Sequence, residues 1–560
     1  MPRLSTEELI LALSDPGAYP EAPAEVECLQ THISAVFRLR DTVYKVKKPK
    51  ELLFLDFTTL DARRHFCHEE VRLNRRLAPD VYEGVVPILR VGGRVRVGAE
   101  LLGSPDAEPA GEVLDYAVRM ARLPDGRTLG ALLGGGSVHA GEMERLGRRI
   151  AAFHAAADRH PGISAVATWE TAGRNCLENF EQVEPFIGET ISAPLFARLR
   201  ALTVRELEHR RALMERRIRE GRPCETHGDL RPEHIYFLPP KAAPSPWSAG
   251  PPDPAGAETE IAVIDCIEFN ERFRWTDPVA DIAFLVMELE FSGRADLAAA
   301  FAGAYFEAAA DPEGARLLPL YATYRNMVRG KVGSLRFGDG LVPAAERTAA
   351  AEEATRHFLS ALGRLAPARE RPGLIVLQGL PGVGKSTLAR ALAGTLGFRW
   401  IDTDRVRKEL AGIPPDEGAG GRATGADYLA GIYAPEWTGR TYAECARRAE
   451  ALLLEGERVV VEGSFRADAH RKALADLAAA LGVRFLVFDC VTSPEEARRR
   501  LAGRAPGPSD ADWAIHERMA AEREPASGAT RPFVREVPVS GSPADAVARI
   551  RAELAGAGLA

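Results

Sequence analysis

Residues 379–387 have the composition of a phosphate-binding loop. They read Gly-Leu-Pro-Gly-Val-Gly-Lys-Ser-Thr and satisfy the pattern G-x-x-x-x-G-K-[ST]. An apolar run at 374–377 precedes the loop and a helical pattern at 388–392 follows it, which is the strand–loop–helix context that the motif requires. The backbone N–H groups of such a loop turn inward around a polyphosphate, and the following helix adds its positive N-terminal end. The loop therefore predicts a binding site for ATP.

Two side chains of this loop have separate predicted roles. Lys385 would reach the β- and γ-phosphates, and Ser386 would hold Mg²⁺ through its hydroxyl. The full set of predicted nucleotide contacts in the loop is Gly379, Pro381, Gly382, Val383, Gly384, Lys385, Ser386 and Thr387.

A carboxylate and an arginine follow the next apolar run of this part of the chain. Asp404 comes just after the run at 398–401, and Arg407 lies about one helical turn further on. A carboxylate at the C-terminal edge of a parallel sheet can accept a proton from an attacking hydroxyl, and Arg407 could bind an anionic acceptor. The alternative is a solvated helix N-terminus that is capped by aspartates.

Two further features complete the predicted C-terminal site. Glu462 ends the apolar strand 459–461, in the position of a Walker B carboxylate that handles Mg²⁺. Residues 493–504 begin with acids and continue with arginines, and we expect Arg500 and Arg504 to close over the transferring phosphate as part of a lid. A charged surface helix is the alternative for this segment.

These side chains need a sheet that brings several strand ends together. Strands predicted at 374–378, 398–401, 458–462 and 484–489 alternate with helices, which indicates a doubly wound parallel sheet. The upstream part is mixed, with predicted strands at 36–39, 42–46, 85–88, 115–121, 235–238 and 261–264 and helices at 69–77, 192–220, 279–310 and 345–363.

The composition also predicts where the domains begin and end. We expect a first domain at 1–365, a linker at 366–372 and a second domain at 373–560. A Pro/Ala/Gly-rich stretch at 239–260 reads as a flexible insertion in the first domain.

The second domain resembles a group of small ATP-dependent kinases. Its P-loop, its Asp-x-x-Arg unit at 404–407 and its arginine segment at 493–504 are similar to those of gluconate kinase, polynucleotide 5′-kinase and zeta toxin. The resemblance implies Asp404 as general base and Arg407 as a contact to the acceptor, with Arg500 or Arg504 as the lid arginine. The chain departs from the family at Glu462, where close relatives usually carry Asp.

A second set of motifs lies in the first domain. Residues 226–235 read Thr-His-Gly-Asp-Leu-Arg-Pro-Glu-His-Ile, and residues 263–269 read Val-Ile-Asp-Cys-Ile-Glu-Phe. Together with the lysines in 44–47, Glu70 and the segment 277–283, they resemble the ordered motifs of the aminoglycoside phosphotransferases and related protein-kinase-like folds. The resemblance implies that a lysine binds phosphate and that Glu70 is its partner. Lys45 and Lys47 share a strand face, so both are candidates, and we favour Lys45.

The same resemblance implies roles for three more residues. Asp229 would orient and deprotonate the acceptor hydroxyl, and Asp265 would bind the metal. His234 stands where the family has a metal-binding Asn, and imidazole prefers softer metals than Mg²⁺. The first domain is thus expected to be either an active kinase or a degenerate one.

Bulk properties restrict the class of protein further. The chain has 560 residues with a net charge of −7, so a duplex nucleic acid is a possible but not a favoured partner. The seven cysteines are dispersed and form no C-x-x-C pair, which favours reduced thiols in a cytosolic protein. With neither a signal core nor a run of about 18 apolar residues, we expect a cytoplasmic protein without a membrane partner.

The predicted fold class is α/β and α+β, with a protein-kinase-like bilobal domain followed by a doubly wound parallel-sheet P-loop domain. The leading hypothesis is a phosphotransferase that uses ATP and Mg²⁺ and acts on an unidentified hydroxyl-bearing acceptor. An ATP-hydrolysing regulatory switch with an N-terminal pseudokinase module is the alternative. A kinase for nucleic-acid 5′ ends and an antibiotic-modifying enzyme are less favoured, because the chain shows neither an aromatic–basic stripe nor a recognisable drug-acceptor motif.

Overall fold

The structure is a computed structural model and describes residues 4–52, 55–103, 111–239, 260–414, 429–503, 509 and 511–560. Its contacts divide the chain into two compact units. Unit 1 comprises residues 1–172 and 210–322, and unit 2 comprises residues 173–209 and 323–560. Residues 240–259, which make up nearly all of the predicted insertion, lie outside the described residues.

Most of the described strands of unit 1 lie before residue 122, and most of its helices follow them. Its strands are β1 Glu27–Gln30, β2 Ser34–Arg38, β3 Thr42–Lys47, β4 Glu51–Leu52, β5 Leu55–Asp56, β6 Tyr82–Val91, β7 Arg94–Val97, β8 Glu112–Ala121, β9 Cys224–Glu225, β10 Ile235–Leu238, β11 Glu260–Val263 and β12 Trp275–Thr276. The helices that lie within it are α1 Thr6–Leu13, α2 Leu60–Asn74, α3 Leu129–Gly134, α4 Ala140–Ala156, α5 Pro161–Val166, α8 Glu271–Arg274, α9 Pro278–Phe291 and α10 Ala295–Ala308. Helices α6 Trp169–Val183, α7 Ala193–Arg219 and α11 Leu318–Gly338 each contain a boundary between the units.

The main sheet of unit 1 is antiparallel and has six strands in the order β1-β2-β3-β8-β6-β7. The hairpin predicted at 36–39 and 42–46 is its β2–β3 pair, with Val36 opposite Lys45. Strand β3 lies inside the sheet, and its lysines therefore have a fixed position against helix α2 and the segment that follows β11.

Two helix predictions in unit 1 are wrong in extent. The helix predicted at 69–77 is α2, which begins where Thr59 accepts a hydrogen bond from the backbone of Ala62. The first turns of α2 are polar, so the hydrophobic pattern does not reveal them. Nevertheless Arg63 in this part of the helix is buried and pairs with Asp115 at 2.9 Å. The single helix predicted at 279–310 is two helices, α9 and α10, and the break contains Gly293 at φ +77°, a conformation that favours glycine.

Unit 2 contains a five-stranded parallel sheet in the order β14-β15-β13-β16-β17. Its strands are β13 Gly373–Gln378, β14 Arg399–Asp402, β15 Arg458–Gly463, β16 Arg484–Val491 and β17 Val534–Pro538. Its helices beyond α11 are α12 Ala344–Leu365, α13 Lys385–Leu396, α14 Thr403–Leu410, α15 Pro435–Leu454, α16 Asp468–Leu481, α17 Pro494–Ala502, α18 Trp513–Glu522 and α19 Pro543–Gly556. The predicted parallel sheet is confirmed, and β17 is an edge strand that the sequence did not predict because it lacks a continuous apolar run.

Helices upstream of the P-loop belong to the core of unit 2. Leu195, Leu199, Phe358 and Leu362 share one buried cluster with residues of the parallel sheet such as Val376. The division by contacts therefore differs from the division predicted from the sequence, whose linker at 366–372 lies inside unit 2. The two divisions differ because α7 and α12 bury apolar faces in unit 2. The sequence shows that these faces are apolar but not which part of the protein they pack against.

Among the described residues, none of the helices combines the length and the apolar character that crossing a bilayer requires.

Candidate functional site

The loop between β13 and α13 has the backbone shape of a phosphate cradle. Gly382 and Gly384 have φ of +83° and +106°, and Gly384 caps the N-terminus of α13. A Cβ atom on Gly382 would lie 2.8 Å from the carbonyl oxygen of Ala497, so a side chain has no room there. The loop therefore requires glycine for both its conformation and its close approach to α17.

The two predicted phosphate-loop side chains begin the helix. Lys385 Nζ donates to the carbonyl oxygen of Leu380 at 3.0 Å, which folds the ammonium group back over its own loop. Ser386 Oγ donates to Glu462 Oε1 at 2.9 Å. The other oxygen of Glu462, Oε2, is buried and has no hydrogen-bond partner among the described residues. A serine hydroxyl and a carboxylate oxygen that needs a partner are donors of the kind that Mg²⁺ prefers, so these residues fit the cation.

Two aspartates stand at the end of strand β14. Asp402 caps α14, because its Oδ1 accepts from the backbone N–H of Asp404 at 2.9 Å and of Arg405 at 3.4 Å. Burial, and to a smaller extent the neighbouring Asp404 carboxylate, raises the pKa of Asp402 to about 6. Asp404 lies in the first turn of α14 and lines the same cavity. The sequence prediction named Asp404 and missed Asp402, although the repeat Asp-Thr-Asp at 402–404 was the signal.

Burial also changes the acidity of Glu462. Glu462 is only 6% exposed. Burial raises the pKa of its carboxyl to about 7, although the nearby Lys385 ammonium acts to lower that pKa. A carboxyl with this pKa is readily ionised once a cation is placed beside it.

Arg407 lines the cavity, but its guanidinium already contacts other residues of the protein. Its guanidinium donates to the carbonyl oxygen of Ile432 at 2.7 Å and to Thr438 Oγ1 at 3.2 Å, and it lies 5.0 Å from the centre of the Tyr433 ring. Arg407 therefore holds the segment before α15 in place. Its predicted contact with an acceptor stays a prediction.

Arg500 contacts the phosphate loop itself. Its guanidinium donates to the carbonyl oxygen of Val383 at 2.8 Å, to that of Val539 at 2.9 Å and to Glu496 at 2.7 Å. In this arrangement it braces the loop from the side of α17, and its role as a lid arginine stays a prediction. The other predicted lid residue, Arg504, lies outside the described residues.

These groups meet in an open cavity of about 670 Å³ at the C-terminal edge of the parallel sheet. The cavity reaches from the loop to an aromatic wall in which the rings of Tyr442 and His470 stack with their centres 4.0 Å apart. The sequence did not predict this wall. The predicted residues that line the cavity are Pro381, Gly382, Gly384, Lys385, Ser386, Thr387, Asp404, Arg407, Glu462 and Arg500.

Unit 1 contains a second cluster of charged residues, on β3, α2 and the segment after β11. Lys45 Nζ lies 2.8 Å from Glu70 Oε1 and 2.5 Å from Asp265 Oδ1. Lys47 Nζ lies 2.7 Å from Glu70 Oε2 and also pairs with Glu268. Both lysines therefore contact Glu70, whereas the contact with Asp265 belongs to Lys45. Glu268 was not predicted, because it becomes part of the cluster only when the chain folds back to β3.

The His-Gly-Asp segment faces this cluster. His234 Nδ1 lies 3.0 Å from the backbone oxygen of Asp229, and its Nε2 lies 3.6 Å from Asp265 Oδ2. The buried Asp281 accepts hydrogen bonds from the backbone N–H groups of His227 at 3.0 Å and Gly228 at 2.8 Å. Asp281 thereby fixes the backbone that leads to Asp229. Burial acts to raise the pKa of Asp265, but the adjacent Lys45 outweighs it and holds that pKa below its ordinary value.

Residues 374–526 match the family model described as an AAA domain. The matched range includes the phosphate loop and the strands that carry Asp402 and Glu462. A shikimate kinase of Moorella thermoacetica is 48% identical over 46 residues, which are 8% of this chain and 27% of that protein. The C-terminal part of the chain is thus similar to P-loop kinases.

Relatives from Mycobacterium match nearly the whole chain. An uncharacterized protein of Mycobacterium tuberculosis is 29% identical over 498 residues, which are 89% of this chain and 90% of that protein. Among solved structures, a gluconokinase from Sinorhizobium meliloti is 22% identical with a TM-score of 0.25, covering 33% of this chain and 94% of its own. A sugar kinase from Janibacter is 14% identical with a TM-score of 0.26, covering 34% of this chain and 99% of its own.

Proposed function

We propose that unit 2 transfers the γ-phosphoryl group of ATP to a hydroxyl group of a small acceptor. One observation supports this most strongly: the phosphate loop, Asp404 and Glu462 line a single cavity. A phosphotransferase needs a phosphate cradle, a cation site and a proton acceptor within reach of one another, because its catalysis is mainly positioning and charge stabilisation.

The phosphate loop, the two cation ligands and the two aspartates then have separate chemical roles. The loop N–H groups and Lys385 bind the β- and γ-phosphates and stabilise the charge on the transferring group. Ser386 and Glu462 would hold Mg²⁺, which neutralises phosphate charge when it is bound. Asp404 accepts the proton of the acceptor hydroxyl, and Asp402 orients Asp404 by capping the helix on which it lies.

We also propose that unit 1 is a second, kinase-like nucleotide site. The arrangement of Lys45 with Glu70 and Asp265, and the bracing of the Asp229 segment by Asp281, support this proposal. These residues also belong to the motifs that resemble those of the aminoglycoside phosphotransferases, and they follow one another along the chain in the same order.

A transfer screen tests the proposal for unit 2. Purified protein is incubated with γ-labelled ATP and sugars, nucleosides, aminoglycosides or 5′-hydroxyl oligonucleotides, and label in the acceptor is measured. Lys385→Ala should abolish the transfer, while Asp229→Ala should leave it intact. Hydrolysis of ATP without transfer to any acceptor would instead favour the regulatory switch.

The buried carboxyl of Glu462 predicts a pH-dependent effect of its replacement. Its pKa in the folded protein is about 7, above its ordinary value of 4.5, so folding takes up a proton between these pH values. The contribution of this group to stability therefore falls as the pH rises from 4.5 to 7. We expect Glu462→Gln to raise the melting temperature above pH 7 in the absence of Mg²⁺, and to change it little below about pH 5.

Glu462→Gln should also lose the increase in ATP affinity that Mg²⁺ gives, because an amide is a weaker ligand for Mg²⁺ than a carboxylate. Glu450→Gln on the exposed side of α15 is the matched control and should change neither property. An unchanged effect of Mg²⁺ on ATP binding in Glu462→Gln would show that Glu462 does not serve the cation.

A further inference from the structure

Glu225 of unit 1 is a buried carboxylate on which three arginines converge. It lies on β9, just before the His-Gly-Asp segment, and is 4% exposed. Arg72 donates from Nη1 and Nη2 to the two carboxylate oxygens, at 3.0 Å each. Arg76 Nη1 and Arg274 Nε each lie 3.3 Å from one of the same oxygens. Burial acts to raise the pKa of Glu225, but Arg72 and Arg76 outweigh burial and hold that pKa at about 2, so the carboxylate is ionised at neutral pH.

Two of these arginines connect Glu225 to helix α2. Arg72 lies on α2, two residues after Glu70, and Arg76 lies two residues beyond the end of the helix. Arg76 also donates to the backbone oxygen of Glu225 at 2.7 Å. Side chains two residues apart on a helix point in different directions. Glu225 therefore holds one side of α2 while Glu70, on another side, contacts Lys45 at 2.8 Å.

The third arginine connects Glu225 to the segment that follows β11. Arg274 is the last residue of α8 and is 3% exposed. Its Nη1 donates to the backbone oxygen of Glu268 at 3.1 Å, and Glu268 itself pairs with Lys47. One buried carboxylate thus joins the helix that carries Glu70 to the segment that carries Glu268.

Removal of the negative charge of Glu225 would leave three guanidinium groups close together. Among the described residues, two other carboxylates pair with these groups, those of Glu69 and the exposed Glu271. A buried charge that loses its partner is strongly unfavourable, so α2 and α8 should move apart when this carboxylate is neutralised. That movement would take Glu70 away from Lys45.

We propose that Glu225 is a positioning residue for the nucleotide site of unit 1. It acts through Glu70, by holding α2 where Glu70 orients Lys45 toward the phosphates of a bound nucleotide. Glu225 thus sets the fraction of molecules in which the binding arrangement exists, and the apparent affinity for a nucleotide scales with that fraction. The inference rests on the proposed nucleotide site of unit 1.

The test uses the full chain with Lys385→Ala, which removes the nucleotide contact of unit 2. Binding of a non-hydrolysable ATP analogue with Mg²⁺ is measured by calorimetry in this background. Glu225→Gln keeps the shape of the side chain but removes its charge, and we expect roughly tenfold weaker binding because the binding-competent fraction falls. Glu307→Gln makes the same change at an exposed position of α10 and should leave binding unchanged.

A double-mutant cycle with Glu70 separates positioning from a general loss of stability. Glu70→Gln alone should weaken binding, because Lys45 then loses a charged partner. In the Glu70→Gln background, Glu225→Gln should weaken binding little further, since the position of α2 no longer matters for Lys45. A merely structural role of Glu225 would give the same loss in both backgrounds.

Arg72→Lys tests the same junction by a smaller change. Lysine keeps the positive charge but cannot make the two parallel bonds of arginine to one carboxylate, so binding should again weaken. Thermal melting establishes that each variant is folded, and Arg72→Lys decides the question if Glu225→Gln does not fold.

Three results would overturn the inference. Unchanged binding in folded Glu225→Gln and Arg72→Lys variants would show that the junction does not position the site. Equal losses with and without Glu70→Gln would show that Glu225 acts independently of Glu70. In both of these cases, weaker binding in Lys45→Ala would leave the nucleotide site of unit 1 in place. Absence of analogue binding to the Lys385→Ala protein itself would remove that site together with the inference.

Discussion

Replacement of Asp404 by Asn is expected to lower phosphoryl transfer by about 10²- to 10⁴-fold while ATP still binds. The amide has nearly the same shape as the carboxylate but cannot accept the proton of the acceptor hydroxyl. The phosphate loop does not contact this side chain through any hydrogen bond found in the described residues, so nucleotide binding should not change. Transfer is measured with the acceptor from the screen, and ATP affinity is measured separately by calorimetry.

Asp402→Asn is the informative comparison, because it makes the same change two residues away on the same cavity wall. The pKa of Asp402 is raised to about 6, which is also a suitable value for a general base. We expect a smaller loss for this variant, since an asparagine still caps α14 well. A large loss in Asp402→Asn together with near-normal transfer in Asp404→Asn would assign the base to Asp402 and contradict our proposal.

Replacement of Phe358 by Ala is expected to destabilise unit 2 by about 3–5 kcal/mol, the cost of removing a fully buried aromatic ring. Phe358 is 0% exposed and lies in the cluster that contains Leu374 and Val376 of the P-loop strand. Helix α11 approaches it so closely that a Cβ atom on Gly330 would lie 2.3 Å from its ring. Phe358 on α12 therefore packs against α11, within the same buried cluster as the sheet that carries the loop.

The measurement follows the unfolding transition whose stabilisation by the ATP analogue is lost in Lys385→Ala, since that transition reports on the unit with the phosphate loop. Phe358→Ala should shift its denaturant midpoint downward. Phe301→Ala removes an equally buried ring from unit 1 and serves as the control. If Phe358→Ala left the nucleotide-linked transition unchanged, the upstream helices would not be part of the folding unit of the P-loop.

Local sequence was sufficient for the features whose chemistry is local. The loop 379–387 could be recognised because its glycines, its lysine and its position between a strand and a helix are all encoded within about twenty residues. The parallel sheet followed from alternating strand and helix patterns, and the apolar runs of β13 and β15 are buried along their whole length. Strand β17 was missed because an edge strand needs no continuous apolar run.

The candidate site of unit 1 shows the limit of such reasoning. Sequence placed Lys45 and Lys47 on the same face of a strand, and spacing could not distinguish them. The distinction comes from residues more than 200 positions away: Asp265 lies beside Lys45, and Glu268 lies beside Lys47. Long-range pairing of this kind depends on how strands and loops pack, which a single sequence does not encode in any local pattern.

The sequence by itself determined that this protein has a phosphate loop on a parallel sheet and an ordered set of kinase-like motifs upstream of it. Only the tertiary structure decided that α7 and α12 pack with the P-loop sheet, that Arg407 and Arg500 brace backbone segments, and that His234 faces Asp265. The physical reason is the same in each case. A motif fixes which groups are available, but burial, close packing and hydrogen bonding between distant segments decide which atoms those groups meet.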